Sequence, residues 1–516
     1  LVYPMWNEFF PYQYEGGRVG QRTEFLSLFA SFKEQITGNR IEPICEGHIR
    51  YINEPDNNQD DRIEDNQKEK QLQGVVGDLK WSYQTGDNIR STAFLEQLCL
   101  QVSAQAASQG VSGINWNFSF PTAFPMSERE RFITNFNNIY ARCSLVTGMG
   151  QASNNKTESE ASAAYFIDRM GGIFVSRGFV SIDIGGGTSD IAYWRKEAQD
   201  NNSLKLQTSF KFAGRDIMLE TLRKNPDIFN KFGIDQNTLA ILQTNAADKN
   251  AFYVRADAAI IRNAQNWFEK LPTYAQDPMV RDFISLINLG ISGIIYYIGL
   301  LIRYSSAEEG TELMAPDIFI GGNGGNLLHW MQNGQYTNTD SPANEGTANR
   351  FLKEIFKSAA GFDTNGFVIK LSNHLKAEAA IGLLSDRNLG FENGGRYGEA
   401  IVAGEDYVVL QGERESAWDG NLTPEILQEG IKIAGNMQNL RNYVDAYNKA
   451  AGRHGFSEIR VTESQYNRVK DRVNQKLADL SGCDLNDISP EPLFMLGIKI
   501  LLEMKADEWA EQYKTL

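Results

Sequence analysis

Residues 179–194 place an acidic residue and three consecutive glycines between two runs of alternating apolar side chains, in the order FVSIDIGGGTSDIAYW. The period of two on both sides of the glycines predicts two strands joined as a hairpin. A tight turn needs one or two glycines, whereas three in succession leave backbone N–H groups open to an anion. Asp183, just before the turn, is a carboxylate that can hold Mg²⁺ through its waters. The segment predicts a phosphate-binding hairpin, with a purely structural hairpin as the alternative.

A second glycine cluster lies at residues 321–325, where GGNGG follows the short apolar run DIFI. The pattern predicts a strand, a glycine turn and the start of a helix near Asn326. Bare backbone lets a flat nucleoside lie close, and a helix N-terminus favours negative charge. Alone, this cluster fits an ordinary loop equally well. Two such elements in one chain favour a nucleotide site that they share.

Several elements upstream can position these turns. Apolar residues recur every four positions within residues 91–109 and predict one face of a helix that Gly110 ends; these residues are Phe94, Leu98, Val102 and Ala106. Residues 116–120 predict a short aromatic strand. Ser127 and Glu130 have the spacing of a capping box, which predicts a helix reaching about Arg142.

Composition limits the class of protein. The chain has 516 residues, enough for two to four packed units. Its net charge of -15 argues against a nucleic-acid surface, which needs clustered Lys and Arg. The four cysteines and four histidines lie far apart, so we expect free, buried thiols and no zinc site.

One stretch, residues 283–302, is uncharged and long enough to cross a membrane. It contains three glycines and several polar residues, so we expect a buried core helix, with a transmembrane helix as the alternative. Residues 1–10 show no signal-peptide pattern. We therefore expect a cytoplasmic protein without a membrane span.

These motifs resemble those of the actin-like ATPase superfamily, which includes actin, bacterial actin-like proteins, heat-shock chaperone ATPase domains and sugar kinases. DIGGGTSD at 183–190 is similar to the second phosphate motif, and IGGNGG at 320–325 to the adenosine motif. EASAA at 160–164 resembles the first connecting helix, FAGRD at 212–216 the G-G-x-D element, and HLKAEAAIGL at 374–383 the returning helix. The resemblance covers roughly residues 75–390.

The resemblance implies ATP and Mg²⁺ as ligands and assigns roles to particular residues. Asp183 and Glu160 would be catalytic, with Asp183 also positioning Mg²⁺ and Glu160 orienting the attacking water. The nucleotide would be bound by a larger set, which comprises Gly185, Gly186, Gly187, Thr188, Gly214, Gly321, Gly322 and Asn323.

The implied fold is α/β, the two-lobed actin-like ATPase fold with a ribonuclease H-like core. Residues 1–164 would form an incomplete lobe I, residues 165–373 lobe II with a smaller subdomain at about 206–300, and residues 374–390 the helix returning to lobe I. Residues 391–516 would be a mostly helical C-terminal extension. Its apolar segment 492–504 is expected to pack in a core, with a partner-docking surface as the alternative.

The family's first phosphate motif has no counterpart in residues 1–150, so the sequence predicts weak ATP hydrolysis or none. The leading hypothesis is a nucleotide-dependent conformational switch or ATPase that signals to a protein partner or self-associates. A small-molecule kinase of the same superfamily, acting on a sugar or acetate, and a non-hydrolysing nucleotide-binding scaffold are the alternatives.

Overall fold

A computed structural model describes residues 28–51 at the level of the backbone, parts of 92–147, and residues 155–170, 178–196, 202–309, 315–339, 344–361, 366–385 and 401–514, with short gaps inside these ranges. The described chain is a mixed α/β structure. It forms two compact units. The first holds 1–118, 129–154 and 244–264, and the second holds 119–128, 155–243 and 265–516. Both predicted glycine turns belong to the second unit.

The strands are β1 (Leu28–Thr37), β2 (Arg40–Tyr51), β3 (Phe118–Phe120), β4 (Asn155–Thr157), β5 (Phe179–Ile184), β6 (Ser189–Lys196), β7 (Asn202–Phe210), β8 (Asp317–Gly321), β9 (Ile369–Leu371), β10 (Tyr407–Val409), β11 (Arg414–Ser416) and β12 (Ile431–Ile433).

The α-helices are α1 (Met126–Thr147), α2 (Glu158–Met170), α3 (Glu220–Lys224), α4 (Ile228–Lys231), α5 (Gln236–Asn245), α6 (Lys249–Tyr274), α7 (Pro278–Glu309), α8 (Leu327–Met331), α9 (Thr347–Ala360), α10 (Glu378–Gly382), α11 (Pro424–Glu429), α12 (Gln438–His454), α13 (Glu463–Leu480) and α14 (Leu493–Tyr513). A π-helical turn at Arg215–Leu219 precedes α3, and 3₁₀ turns lie at Asn323–Asn326 and Leu485–Asp487.

The central sheet of the second unit has the order β7-β6-β5-β8-β9 among the described strands. β6 is antiparallel to both of its neighbours, β5 and β7, whereas β8 and β9 run parallel to β5. β5 and β8 are central strands of this mixed sheet and are covered on both faces, and every residue of β8 is buried. Aromatic packing between β5, β8 and α2 fixes this core, with the Phe166 and Phe319 rings 5.3 Å apart.

Helix α7 contains the long uncharged stretch of the sequence. It is the one helix among the described residues that is long and apolar enough to cross a membrane, and its most apolar window is fully buried within the protein. Its glycines lie against other elements: Gly290 faces Ile217, Gly293 faces Ile498 of α14, and Gly299 faces Ala359 of α9. Such close approach on three sides is the arrangement expected of a core helix.

Residues 401–514 pack into the same unit as the central sheet. Most side chains of α14 are buried, which favours core packing for the apolar segment 492–504. Tyr443 of α12 hydrogen-bonds Leu289 O of α7 at 2.6 Å, and the Trp509 indole of α14 donates to Met279 O at 3.0 Å. The predicted domain boundaries at 164, 373 and 390 stay predictions.

Two local predictions upstream need correction. Helix α1 begins at Met126, so Ser127 lies in its first turn and does not cap it. The helix predicted at 91–109 is helical at its described positions, but Leu98 and Val102 are each 38% exposed while Cys99 is buried. The inward face is therefore offset by one residue from the apolar stripe. Phe94 and Ala106 lie outside the described residues.

Candidate functional site

The predicted hairpin is present, with β5 and β6 antiparallel and Ile184 opposite Ser189. Its turn is closed by the Gly185 N–H, which donates to Thr188 O at 2.8 Å. Gly186 is exposed, and a methyl group added at Gly187 would meet no atom within 4 Å. None of the three glycines has a positive φ. Backbone conformation therefore does not require glycine at 186 or 187, whereas an approaching ligand would.

The second glycine turn emerges beside the first. β5 and β8 are parallel neighbours with Asp183 opposite Gly321, so both turns leave the same end of the sheet. Gly322 has φ 75° and ψ 161°, a conformation almost restricted to glycine. A methyl group there would overlap Asp183 Oδ1 and the Ile184 carbonyl. Asn323, which is exposed, begins the 3₁₀ turn that leads into α8.

A third segment, residues 213–216, supports the hairpin turn. The Gly214 N–H donates to Gly185 O at 3.1 Å, and the Arg215 N–H donates to Gly186 O at 2.9 Å. A methyl group added at Gly186 would lie 3.4 Å from Arg215 Nε, so a guanidinium lies beside the exposed glycine. Gly214 itself lies close to Gly324, because a methyl group added at Gly214 would be 3.5 Å from the Cα of Gly324. The structure therefore brings all three predicted glycine elements together.

Asp183 is half-buried, and its Oδ2 accepts a hydrogen bond from Ser162 Oγ of α2 at 3.2 Å. Sequence reasoning missed Ser162, although it lies two residues after Glu160 in the EASAA segment. The structure places the Glu160 carboxylate at the start of α2, where Oε2 accepts from the Thr157 N–H at 2.9 Å. The Glu160 N–H donates in turn to Thr157 Oγ1, which completes a capping box. A role for Glu160 in orienting water stays a prediction.

Helices α2 and α10 cross at a glycine. A methyl group added at Gly382 would overlap Ala161 O, so the two helices approach backbone to backbone. Lys156 Nζ donates to Gly382 O at 3.3 Å and to Ser385 O at 3.0 Å at the end of α10. This crossing holds both helices over the sheet face that carries Asp183.

Helix α14 contacts the third segment through Lys499. Lys499 Nζ lies 2.9 Å from Asp216 Oδ1 and donates to Lys211 O at 2.7 Å. Asp216 Oδ2 accepts from the Ala213 N–H at 3.2 Å. Burial lowers the pKa of Lys499, but the charges of Asp216 and Glu491 outweigh it and leave the pKa above its usual value. The 213–216 turn is thus held by a charged, half-buried lysine, and no sequence signal predicts this pairing.

These residues fit a magnesium nucleotide in three respects. Gly186 and Gly187 leave space that a side chain would fill, Arg215 supplies a cationic group beside them, and Asp183 supplies hard oxygen atoms. Among the described residues no group of three or more His, Cys, Asp and Glu side chains is arranged to hold a metal. An ion at Asp183 would need further ligands besides this carboxylate, with water and phosphate oxygens among them.

Cys99 and Cys143 are buried and Cys483 is half-buried, and none of these three cysteines forms a disulfide among the described residues. The side chain of Cys45 lies outside the described residues. None of these three thiols belongs to the elements that carry the glycine turns.

Comparison with known proteins adds little. No protein-family model and no curated protein sequence matches this chain. A solved structure that is similar is the ethanolamine utilization protein EutJ from Carboxydothermus hydrogenoformans, at 11% identity and a TM-score of 0.30, over 57% of this chain and 74% of that chain. A similarity of this degree carries no argument about fold or activity.

Proposed function

We propose that this chain binds a magnesium nucleotide, ATP in the first instance, between the hairpin turn at 185–188 and the glycine turn at 321–325. The observation that carries the proposal is the register of β5 and β8, which puts Asp183 opposite Gly321 and opens both turns at one end of the sheet. Ligands in α/β sheets bind at the carboxyl ends of parallel strands, where loops from neighbouring strands meet.

Each element has a distinct part in this proposal. The backbone at Gly186 and Gly187 would receive the phosphates, with Arg215 adding positive charge beside them. Asp183, oriented by Ser162, would hold the hydrated Mg²⁺, which when bound neutralises phosphate charge. Gly321 and Gly322 would let the nucleoside lie against the backbone before Asn323. Hydrogen bonds from backbone amides to charged oxygens contribute about 1.5–3 kcal/mol each.

The strand arrangement supports the actin-like fold. Three antiparallel strands followed by two strands parallel to the first, in the order β7-β6-β5-β8-β9, is the arrangement of a ribonuclease H-like core. Together with the order of the motifs, this favours a nucleotide-dependent conformational switch or ATPase. The protein partner or self-association that such a switch serves is part of the same proposal, as is a cytoplasmic location.

The capping box at Glu160 favours a second candidate, a nucleotide-binding scaffold that does not hydrolyse ATP. Because the carboxylate is engaged by the Thr157 N–H, it would have to leave the helix N-terminus to orient a water molecule. Release of inorganic phosphate in the presence of Mg-ATP distinguishes the candidates. A switch turns ATP over, and a scaffold binds without turnover.

The binding proposal is tested with Gly186→Val, whose side chain would occupy the phosphate space. Titration calorimetry with Mg-ATP should show at least tenfold weaker binding than the wild-type chain, which corresponds to about 1.4 kcal/mol. Gly435→Val is the matched control, because an added methyl group there meets nothing within 4 Å and the site lies elsewhere. Equal affinity for Gly186→Val and Gly435→Val would refute the proposed phosphate position.

A further inference from the structure

Glu378, the first residue of α10, carries a buried carboxyl group beside the two glycine turns. Its side chain is 1% exposed, and neither Oε1 nor Oε2 has a hydrogen-bond partner among the described residues. An ionised carboxylate in that position costs several kcal/mol unless a positive charge compensates it. A bound cation would supply that compensating charge.

The position of Glu378 is set by the glycine at the end of β8. A methyl group added at Gly321 would lie 3.1 Å from both Cδ and Oε1 of Glu378, so the carboxyl lies directly over that residue. Gly321 is the ladder partner of Asp183. Paired positions on neighbouring strands face the same side of a sheet, and the strands are about 4.8 Å apart. The carboxyl groups of Asp183 and Glu378 therefore lie on the same face of the sheet, over adjacent strands.

The atoms around Asp183 also suit a bound cation. Its Oδ1 lies against Gly322, the residue after Gly321, while its Oδ2 is held by the Ser162 hydroxyl. Two acids and a hydroxyl thus lie on the sheet face that α2 and α10 cover. All of these atoms are hard oxygen donors, which suit Mg²⁺ and Mn²⁺ better than softer metals.

A different buried glutamate shows what a purely structural acid looks like in this fold. Glu405 is 2% exposed, and its two oxygens accept from the Leu440 N–H at 2.6 Å and the Asn439 N–H at 3.2 Å at the start of α12. Glu378 has no such donors, although it is at least as buried. The contrast points to a ligand and not to packing as the reason for an acid at 378.

We propose that Glu378 and Asp183 are the two carboxylate ligands of a divalent-cation site at the base of the nucleotide site. Mg²⁺ is commonly bound by one or two carboxylates, with water and phosphate oxygens filling the remaining positions. The inference rests on the proposed function for the ion's role beside phosphate. It also makes a claim of its own, which is that the ion binds without nucleotide.

The test uses Mn²⁺ as the probe, with free ion measured by electron paramagnetic resonance and no nucleotide present. The wild-type chain should bind one Mn²⁺ saturably, and Glu378→Gln should weaken that binding at least tenfold. Glu405→Gln, the same change at another buried position, should bind Mn²⁺ as the wild type does. Wild-type affinity in Glu378→Gln, or no saturable binding in the wild type, would overturn the proposal.

Two further measurements keep the result independent of folding and of the nucleotide proposal. Mn²⁺ should raise the melting temperature of the wild type but not of Glu378→Gln, and Asp183→Asn should lose the ion as well. Gly186→Val should keep Mn²⁺ binding while losing Mg-ATP binding. The cation proposal and the nucleotide proposal can therefore fail independently. Retention of Mn²⁺ by both acid variants would place the ion elsewhere and end this inference.

Discussion

The two glycine turns look alike in the sequence but use glycine for different reasons. At the hairpin turn, an added methyl group meets only the Arg215 side chain at Gly186 and nothing within 4 Å at Gly187. At the second turn, a methyl group on Gly322 would meet Asp183 Oδ1 and the Ile184 carbonyl, and one on Gly324 would meet the side chain and carbonyl of Ile184. The first turn keeps open space, and the second is packed against its neighbour.

This difference separates glycines that could serve ligand binding from glycines that the packing of the fold requires. Glycine at a position with no steric or conformational need for it points to something that approaches from outside. Glycine at a position wedged between two backbones is needed for the fold itself. In this chain the packed turn aligns the open one, because Gly322 and Gly324 lie against the residues that lead into Gly185.

Substitution of Gly322 in the packed turn should have the strongest effect on stability. Gly322→Ala should destabilise the protein by about 3 kcal/mol, because the methyl group overlaps Asp183 Oδ1 and the backbone must keep a conformation that alanine avoids. Gly187→Ala, in the open turn, should change stability by less than about 0.5 kcal/mol. Thermal and urea unfolding of the two variants measure the contrast. Equal loss of stability would remove the distinction between the turns.

The next effect concerns the support beneath the open turn. Lys499→Met should destabilise by about 1–3 kcal/mol and weaken Mg-ATP binding, because Asp216 would lose its ion-pair partner and residues 213–216 one of their anchors. Arg472→Met breaks a more exposed ion pair to the same helix α14 and should cost less than about 1 kcal/mol. Unfolding and calorimetry on both variants provide the comparison. Nucleotide binding that survives Lys499→Met unchanged would show that α14 does not support the turn.

A third prediction uses pH to examine a buried acid away from both turns. Burial raises the pKa of Glu405 to about 8, against the N–H groups of Leu440 and Asn439, which lower it. The folded chain therefore binds this proton more tightly than the unfolded chain, and this contribution to stability should be lost as pH rises from about 4.5 to 8. Melting temperatures across that range should decline less in Glu405→Gln. Parallel pH profiles for the two proteins would contradict the assignment.

The smallest effect tests how Asp183 is oriented between the turns. Ser162→Ala removes one hydrogen bond to Asp183 Oδ2 and should weaken Mg-ATP binding by about 1 kcal/mol, or roughly fivefold. Ser358→Ala is a suitable control, because its hydroxyl bonds only to Glu354 O within α9 among the described contacts. Calorimetry under the same conditions measures both. A loss of Mg-ATP affinity in Ser358→Ala that equals or exceeds the loss in Ser162→Ala would show that the Ser162 hydroxyl does not support the site.

The local pieces of the site could be predicted from the sequence. The alternation around DIGGGTSD is a strand signal that needs no tertiary information, and the strand before GGNGG follows the same logic. The T-x-x-E pattern of residues 157–160 is also a capping-box signature. The resemblance instead assigned Glu160 a catalytic role.

The long-range pieces could not be predicted. That Asp183 lies opposite Gly321 depends on the pairing of β5 with β8, which more than a hundred residues separate. The ion pair between Lys499 and Asp216 depends on where α14 packs, and α14 has apolar side chains on all sides and no marked face. Glu378 lies in the HLKAEAAIGL segment, but the resemblance gives that glutamate no role, and its burial beside Gly321 is what distinguishes it.

If the open glycine turn receives phosphate, glycine-selective ¹⁵N labelling should detect the contact even when binding is weak. Titration with Mg-ATP should move the amide resonances of Gly186 and Gly187, assigned through their alanine variants, whereas adenosine alone should leave them in place. The amide of Gly435 serves as the internal reference. Resonances of Gly186 and Gly187 that stay unmoved at saturating Mg-ATP, or that respond equally to adenosine, would contradict the account.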